Sequence, residues 1–173
     1  SIILNILLIG CSSSVDSSDD IIIDDDPDPI VVNNQPNILL VIADDMGKDA
    51  TPNFTEGSVK PNMPTLESLI TTGITFDNLW SYSVCTPTRA SILTGKYGSK
   101  TNVLEVGDNI STSETSIQEY IGNEYATAII GKWHLSNNAN DPLTMGIDYY
   151  AGLLNGGVQS YTNWNLVENG QTN

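Results

Sequence analysis

Positive charge is what this 173-residue chain has least of: six Lys plus Arg stand against 21 Asp plus Glu, a formal net charge of −15. Arg89 is its one arginine and His134 its one histidine. A phosphate backbone needs a basic face to dock on, which argues against nucleic acid as a partner. Two cysteines cannot build a disulfide framework. No apolar run approaches the ~20 residues of a membrane-spanning helix. Aromatics make up 7% of the chain, yet hydrophobic residues reach 39%, enough for a core and against wholesale disorder. The length suits one domain, or part of a larger one.

The chain opens on an uncharged apolar run, SIILNILLIG, beginning with Ser1 rather than Met. Residues 1–10 fit the apolar core and exit of a signal peptide whose basic beginning is missing. Leu8-Ile9-Gly10-Cys11 is similar to a bacterial lipobox, where cleavage before the cysteine is followed by attachment of lipid to its sulfur. That reading makes Cys11 a lipidation site and a lipid membrane a partner. The protein would then sit extracytoplasmically on a bacterial membrane, in the periplasm or at the cell surface. An ordinary signal peptide, or a short strand with a chance Cys, stays open. Residues 11–36 read as an acidic Ser/Asp/Pro-rich tether: seven Asp and no basic residue lie between Ser12 and Pro29. Like charges in such a context repel and bury nothing. The aspartate run lacks the glycine-punctuated loop of a calcium site. Without the tether, 14 acidic and six basic residues remain, a net charge of −8.

From Asn37 onward the texture changes. Residues 37–43 (NILLVIA) and 125–130 (YATAII) are continuous apolar runs, as in strands buried on both faces of a parallel sheet. Residues 63–73 predict a helix with Pro near its start and Gly at its end, and 74–81 a short strand. Pro87 starts a further helix that Gly95 ends. Residues 113–122 predict another, with Ser113 or Ser116 as cap and Gly122 as stop. Beyond Asp141 the chain reads as long loops. Strands alternating with helices make the fold class α/β, with the two apolar strands in one mainly parallel central sheet flanked by helices.

Three clusters stand where strands end or helices begin, the usual ligand edge of an open α/β sheet. Asp44-Asp45 follows the first apolar strand. Adjacent carboxylates repel, and a hard divalent cation relieves that repulsion; a polar turn with a helix cap fits the same residues. Cys85 precedes Pro87 at a helix start, where free N–H groups attract anions, and Arg89 can reach back as a fork donor. A nucleophile there suits acyl, sulfuryl or phosphoryl transfer, while a buried structural cysteine is the plainer reading. Lys132 and His134 follow the second apolar strand. Two apart in an extended segment, they share a face, a cation beside a proton carrier. A lone histidine can equally be a structural hydrogen-bonding residue.

Taken together, these clusters resemble the sulfatase family, of alkaline-phosphatase-like fold. CTPTRASILTG at 85–95 resembles the signature C-x-P-x-R with its trailing A-x-x-L-T-G. GKWHL at 131–135 is similar to the second signature, and NILLVIADDMG at 37–47 to the metal-binding opening. PNMPTLESLITTGITFDNLW and GIDYYAG fit the intervening spacers in order. The resemblance implies that a separate maturation enzyme oxidises Cys85 to formylglycine, whose hydrate attacks the sulfur of a sulfate ester. It implies Ca2+ held by Asp44, Asp45 and the residue at position 85, with Arg89 orienting the hydrate. Lys132 would bind sulfate and His134 would assist proton removal. The implied substrate is a sulfated small molecule or carbohydrate.

Family members are longer and bring further metal ligands, another His and another Lys. Residues 37–173 are therefore expected to be the amino-terminal part of a sulfatase catalytic domain, an incomplete fold inactive by itself. Two other readings stay open: a phosphonate or phosphate ester hydrolase of the same fold, and a non-catalytic surface binding protein on a degenerate sulfatase scaffold. Ser136, where the family commonly has Gly, is a small departure.

Overall fold

A computed structural model of the chain describes residues 6–11, through their backbone, and 35–173. The tether expected at 11–36 lies for most of its length outside the described residues, as do residues 1–5 of the expected signal peptide. Strand β1 (Ile6–Cys11) pairs antiparallel with β2 (Asn37–Ile42), with Ile6 opposite Ile42 and Cys11 opposite Asn37. Helix α1 (Pro64–Thr72) follows, its end bonded by the Gly73 N–H to the Leu69 carbonyl. Next come α2 (Cys85–Thr94), α3 (Gly98–Thr101), α4 (Ile117–Ile121) and a 3-10 turn at Gly122–Glu124. Strand β3 (Ala128–Lys132), α5 (Asp141–Thr144), β4 (Tyr149–Leu153), β5 (Val167–Glu168) and β6 (Gln171–Thr172) complete the order.

The architecture is α/β. Its larger sheet has the order β3-β4-β5-β6, mixed rather than mainly parallel: β3 and β4 run parallel and the later pairs antiparallel. Contrary to expectation, β2 and β3 do not share a sheet. An apolar cavity of about 330 Å³, lined by Ile38, Leu40, Ile42, Ile92, Ile117 and Ile129, lies between them. The backbone edge of β2 is taken by β1, an apolar run of equal length, and composition carries no signal for which partner a strand selects. β2 is also less covered than predicted, with Ile38, Leu39 and Val41 about half exposed. Residues 74–81 form no strand, since no neighbouring edge pairs with them, and Ile74, Phe76 and Trp80 stand exposed. The region after Asp141, read as loops, supplies α5 and three strands. Tyr149, Tyr150 and Gly152 belong to a close strand pairing.

Gly131 and Gly152 are opposite one another in β3 and β4. A Cβ at Gly152 would lie 1.7 Å from the Gly131 carbonyl oxygen, so only glycine permits that approach. The core sits behind this pair. It contains Ala90 and Leu93 of α2, with Trp133, Leu135, Met145, Ile147 and Tyr150. Trp133 and Tyr150 meet edge to face, centroids 6.2 Å apart. The Trp133 indole N–H donates to Ser136 Oγ at 3.1 Å, so the hydroxyl at this departure from the family pattern satisfies a buried donor. Burial pushes the Tyr150 phenol up to about 12. Ser116, one of the two expected caps, accepts from the Glu119 N–H and donates to the Met145 carbonyl, tying α4 to the core.

Asp148 sets the start of the parallel pair. Its carboxylate accepts from the Thr127 N–H at 2.8 Å and the Thr127 hydroxyl at 2.9 Å. Those bonds hold its carboxyl below the ordinary aspartate value of 3.8, against a small opposing effect of burial. A depressed folded-state pKa contributes stability that is present above 3.8 and lost as pH falls from there through the folded-state value. Asp148→Asn is therefore expected to lower the thermal midpoint at pH 7. The gap between variant and wild type should close as pH is taken well below 3.8, measured by circular dichroism melts.

Candidate active site

Helix α2 carries the first half of the site. Its first residue is Cys85, with Pro87 in the first turn, where a missing N–H costs nothing. Thr88 Oγ1 donates to the Val84 carbonyl and accepts from the Tyr82 N–H, fixing the approach to the helix. Gly95, at φ 67°, closes the helix through its N–H on the Ser91 carbonyl. Thr86, Pro87, Thr88, Ala90 and Leu93 are buried, which leaves half-buried Cys85 and Arg89 facing the site. Cys85 is thus inside the helix by one residue, rather than just before it.

The second half comes from the end of β3. Trp133 and Leu135 are each 2% exposed and point into the core, so Lys132 and His134 share the opposite face, as the spacing predicted. Past the strand, the N–H of Trp133 donates to the Leu153 carbonyl and that of His134 to the Leu154 carbonyl. His134 is held at φ 55°, a left-handed backbone that non-glycine residues adopt only when their surroundings impose it.

The predicted residues converge. Cys85 Sγ lies 3.2 Å from His134 Nδ1. Arg89 donates from Nη1 to the Lys132 carbonyl at 2.6 Å and from Nη2 to Asp44 Oδ2 at 3.0 Å. Lys132 Nζ reaches the same Asp44 oxygen at 2.7 Å. Asp44 therefore bridges the helix cation and the strand cation at the end of β2. Burial works against its charge, but hydrogen bonds and charges from Lys132 and Arg89 outweigh it, holding the carboxyl below the ordinary range. Burial pushes the His134 imidazole below its usual value, reinforced by Lys132 and Arg89 and opposed by Asp44, so the ring is neutral near pH 7. Arg89 Nε is buried with no partner among the described residues.

Asp45 adjoins Asp44 in a left-handed turn at φ 57°. The two carboxylates offer hard oxygen donors of the type a calcium ion takes, but a calcium sphere needs six to eight oxygens. Among the described residues, no three His, Cys, Asp or Glu side chains gather as a metal group. The donor chemistry fits one side of a calcium site, completed by further oxygen ligands. Two of the three acids beyond the strand have other work: Asp148 latches β3 to β4, and Glu168 accepts from the Tyr149 hydroxyl at 2.6 Å.

One contact was not legible in the sequence. The buried Thr86 places its hydroxyl 3.4 Å and 3.5 Å from the two ring nitrogens of His134. Only its place beside Cys85 in the helix could have pointed to it.

Comparison with known proteins agrees with this arrangement. A family model described as Sulfatase matches residues 36–172. Mouse arylsulfatase G is 38% identical over 129 residues, covering 69% of this chain and 24% of that protein. The uncharacterized sulfatase YdeN of Escherichia coli K12 is 28% identical over 189 residues, covering 78% of this chain and 34% of that one. The chain thus spans a quarter to a third of the length of these relatives. Among solved structures, BT4656 in complex with its substrate D-glucosamine-2-N,6-O-disulfate superposes with a TM-score of 0.58 at 24% identity, over 72% of this chain and 24% of that one. That likeness is one of fold, the alkaline-phosphatase-like α/β type, of which this chain carries a part. With the signature cysteine, arginine, lysine and histidine drawn to one point and the family pattern running through the folded residues, the chain belongs to the sulfatase family.

Proposed function

We propose that this chain carries the nucleophile-bearing part of a sulfuric ester hydrolase acting on a sulfated small molecule or carbohydrate. The observation that carries the reading is the single contact network joining Cys85, His134, Arg89, Lys132 and Asp44. Arylsulfatases among the relatives support the ester class. Converted to formylglycine by a maturation enzyme, position 85 would supply a hydrated aldehyde hydroxyl as nucleophile toward sulfur. Calcium held by Asp44 and Asp45, with further oxygen ligands, would supply Lewis-acid charge beside it.

The chain's own residues do the positioning. The first turn of α2 presents free N–H groups and the positive end of a ten-residue helix to an anion. Arg89, anchored by the Lys132 carbonyl and Asp44, keeps a fixed cation one turn behind position 85. Lys132 Nζ holds a sulfate oxygen as a point charge in a partly dry site, where such a contact is stronger than in water. His134 Nδ1, 3.2 Å from the atom at position 85, receives or returns a proton there.

Lys132→Met keeps an unbranched stem, one atom shorter, and removes the charge. In the complete enzyme of which this chain is the nucleophile-bearing part, it is expected to lower kcat for sulfate ester hydrolysis by about 10²–10³-fold, the effect of losing one donor to a developing anion. Unchanged turnover would refute the assignment. Mass spectrometry of the peptide containing residue 85, after co-expression with the maturation enzyme, should give a mass lower than that of the thiol. A peptide that keeps its thiol mass removes the formylglycine chemistry.

We also propose that Cys11 carries the lipid and holds the domain on the extracytoplasmic side of a bacterial membrane; the cleavage this entails would remove β1 up to Gly10 and free the edge of β2 that it covers. The apolar run before Cys11 and the acidic stretch after it support this. Cys11→Ala should move the protein from the membrane fraction to the soluble one; equal partitioning of variant and wild type would exclude lipid at that sulfur.

A further inference from the structure

The His134 ring has two neighbours that no motif includes. One is the Thr86 hydroxyl, within 3.4 Å and 3.5 Å of its nitrogens. The other is the backbone of Gly156, in the loop after β4. A Cβ there would lie 2.8 Å from both Cε1 and Nε2 of the ring and 3.4 Å from Nδ1. We propose that Gly156 and Thr86 are positioning residues that clamp the His134 imidazole, so that Nδ1 faces position 85. Its consequence for turnover rests on the hydrolase reading; the clamp itself does not.

The requirement for glycine at 156 comes from the ring and not from the backbone. Gly156 is not among the glycines at positive φ, so its backbone is open to other residues. Its neighbour Gly157 also lies outside the positive-φ set, and a Cβ there would meet nothing within 4 Å. Two adjacent glycines in one loop therefore differ in what a Cβ would meet, the imidazole for the first and nothing within 4 Å for the second.

The ring has little room to retreat. Its backbone is fixed by the N–H to the Leu154 carbonyl at 3.0 Å, and Trp133 before it is packed in the core. Thr86, within reach of both ring nitrogens, is wholly buried in α2. To restore ordinary contact, from 2.8 Å to at least 3.4 Å, an alanine at 156 would displace the ring by about 0.6 Å or more. A proton carrier hydrogen-bonded at 3.2 Å does not tolerate such a shift without losing alignment.

The test compares Gly156→Ala with Gly157→Ala. His134 is the chain's single histidine, so its ring Hε1 gives one histidine signal in the NMR spectrum. Gly156→Ala should move that signal and lower kcat about 10–100-fold with little change in KM, since near-ångström misplacement of a reacting group costs on that order. Gly157→Ala should match wild type in both. Thermal melts of each variant separate displacement from unfolding. If Gly156→Ala does not fold, Thr86→Val reads the other jaw of the clamp, and the same signal should move. An unmoved signal in the folded variant overturns the proposal. If the peptide containing residue 85 keeps its thiol mass while the signal still separates the two glycine variants, the clamp stands and the formylglycine hydrolase reading falls.

Discussion

One carboxylate oxygen holds the site together. Asp44 Oδ2 takes a hydrogen bond from Arg89 on helix α2 and another from Lys132 at the end of β3, while Asp44 itself lies in the turn just past β2. No backbone ladder joins β2 to β3, so this triad ties the two sheets where the chemistry is gathered. Its members are only partly exposed, 28% for Asp44, 12% for Arg89 and 15% for Lys132. At that depth desolvation offsets part of the attraction among its charges, so the triad sets geometry more than it adds stability. It also means that an incoming anion and Asp44 compete for the same donors.

Behind the triad, packing converts a two-residue alternation into a site. Trp133 and Leu135 are consumed by the core, which forces Lys132 and His134 outward together. The close approach of Gly131 and Gly152 brings β4 near enough for its last carbonyls to capture the Trp133 and His134 N–H groups. The left-handed turn at His134 then aims the ring at Cys85 and not along the strand. Asp148 contributes from a distance by pinning Thr127, which sets where the parallel pair begins.

Much of the site was readable before folding was considered. Its residues are chemically unusual for this chain: the one arginine, the one histidine, a cysteine before a helix-starting proline, and paired aspartates after an apolar run. Helices α1, α2 and α4 were equally legible, because proline, serine and glycine act locally at helix ends. Strand partnership was not. Which edge β2 joins depends on segments remote in sequence, and residues 74–81 have strand-like composition without an edge to pair with. The strands after Asp141 were hidden for the opposite reason: their glycines read as loop until a facing strand shows why no side chain fits.

By itself, the sequence determined which chemical groups are present, their order, and the local starts and stops that place each beside a strand end or helix end. Those depend on side-chain type and on spacing over a few residues, which are one-dimensional facts. Only the tertiary structure decided that Asp44 meets both cations and that the imidazole lies against Thr86 and Gly156 with Nδ1 3.2 Å from Cys85 Sγ. Such contacts join residues more than 40 positions apart for the triad and 22 apart for the glycine jaw. They arise from sheet pairing and core packing, forces that act on the whole chain at once and leave no local mark.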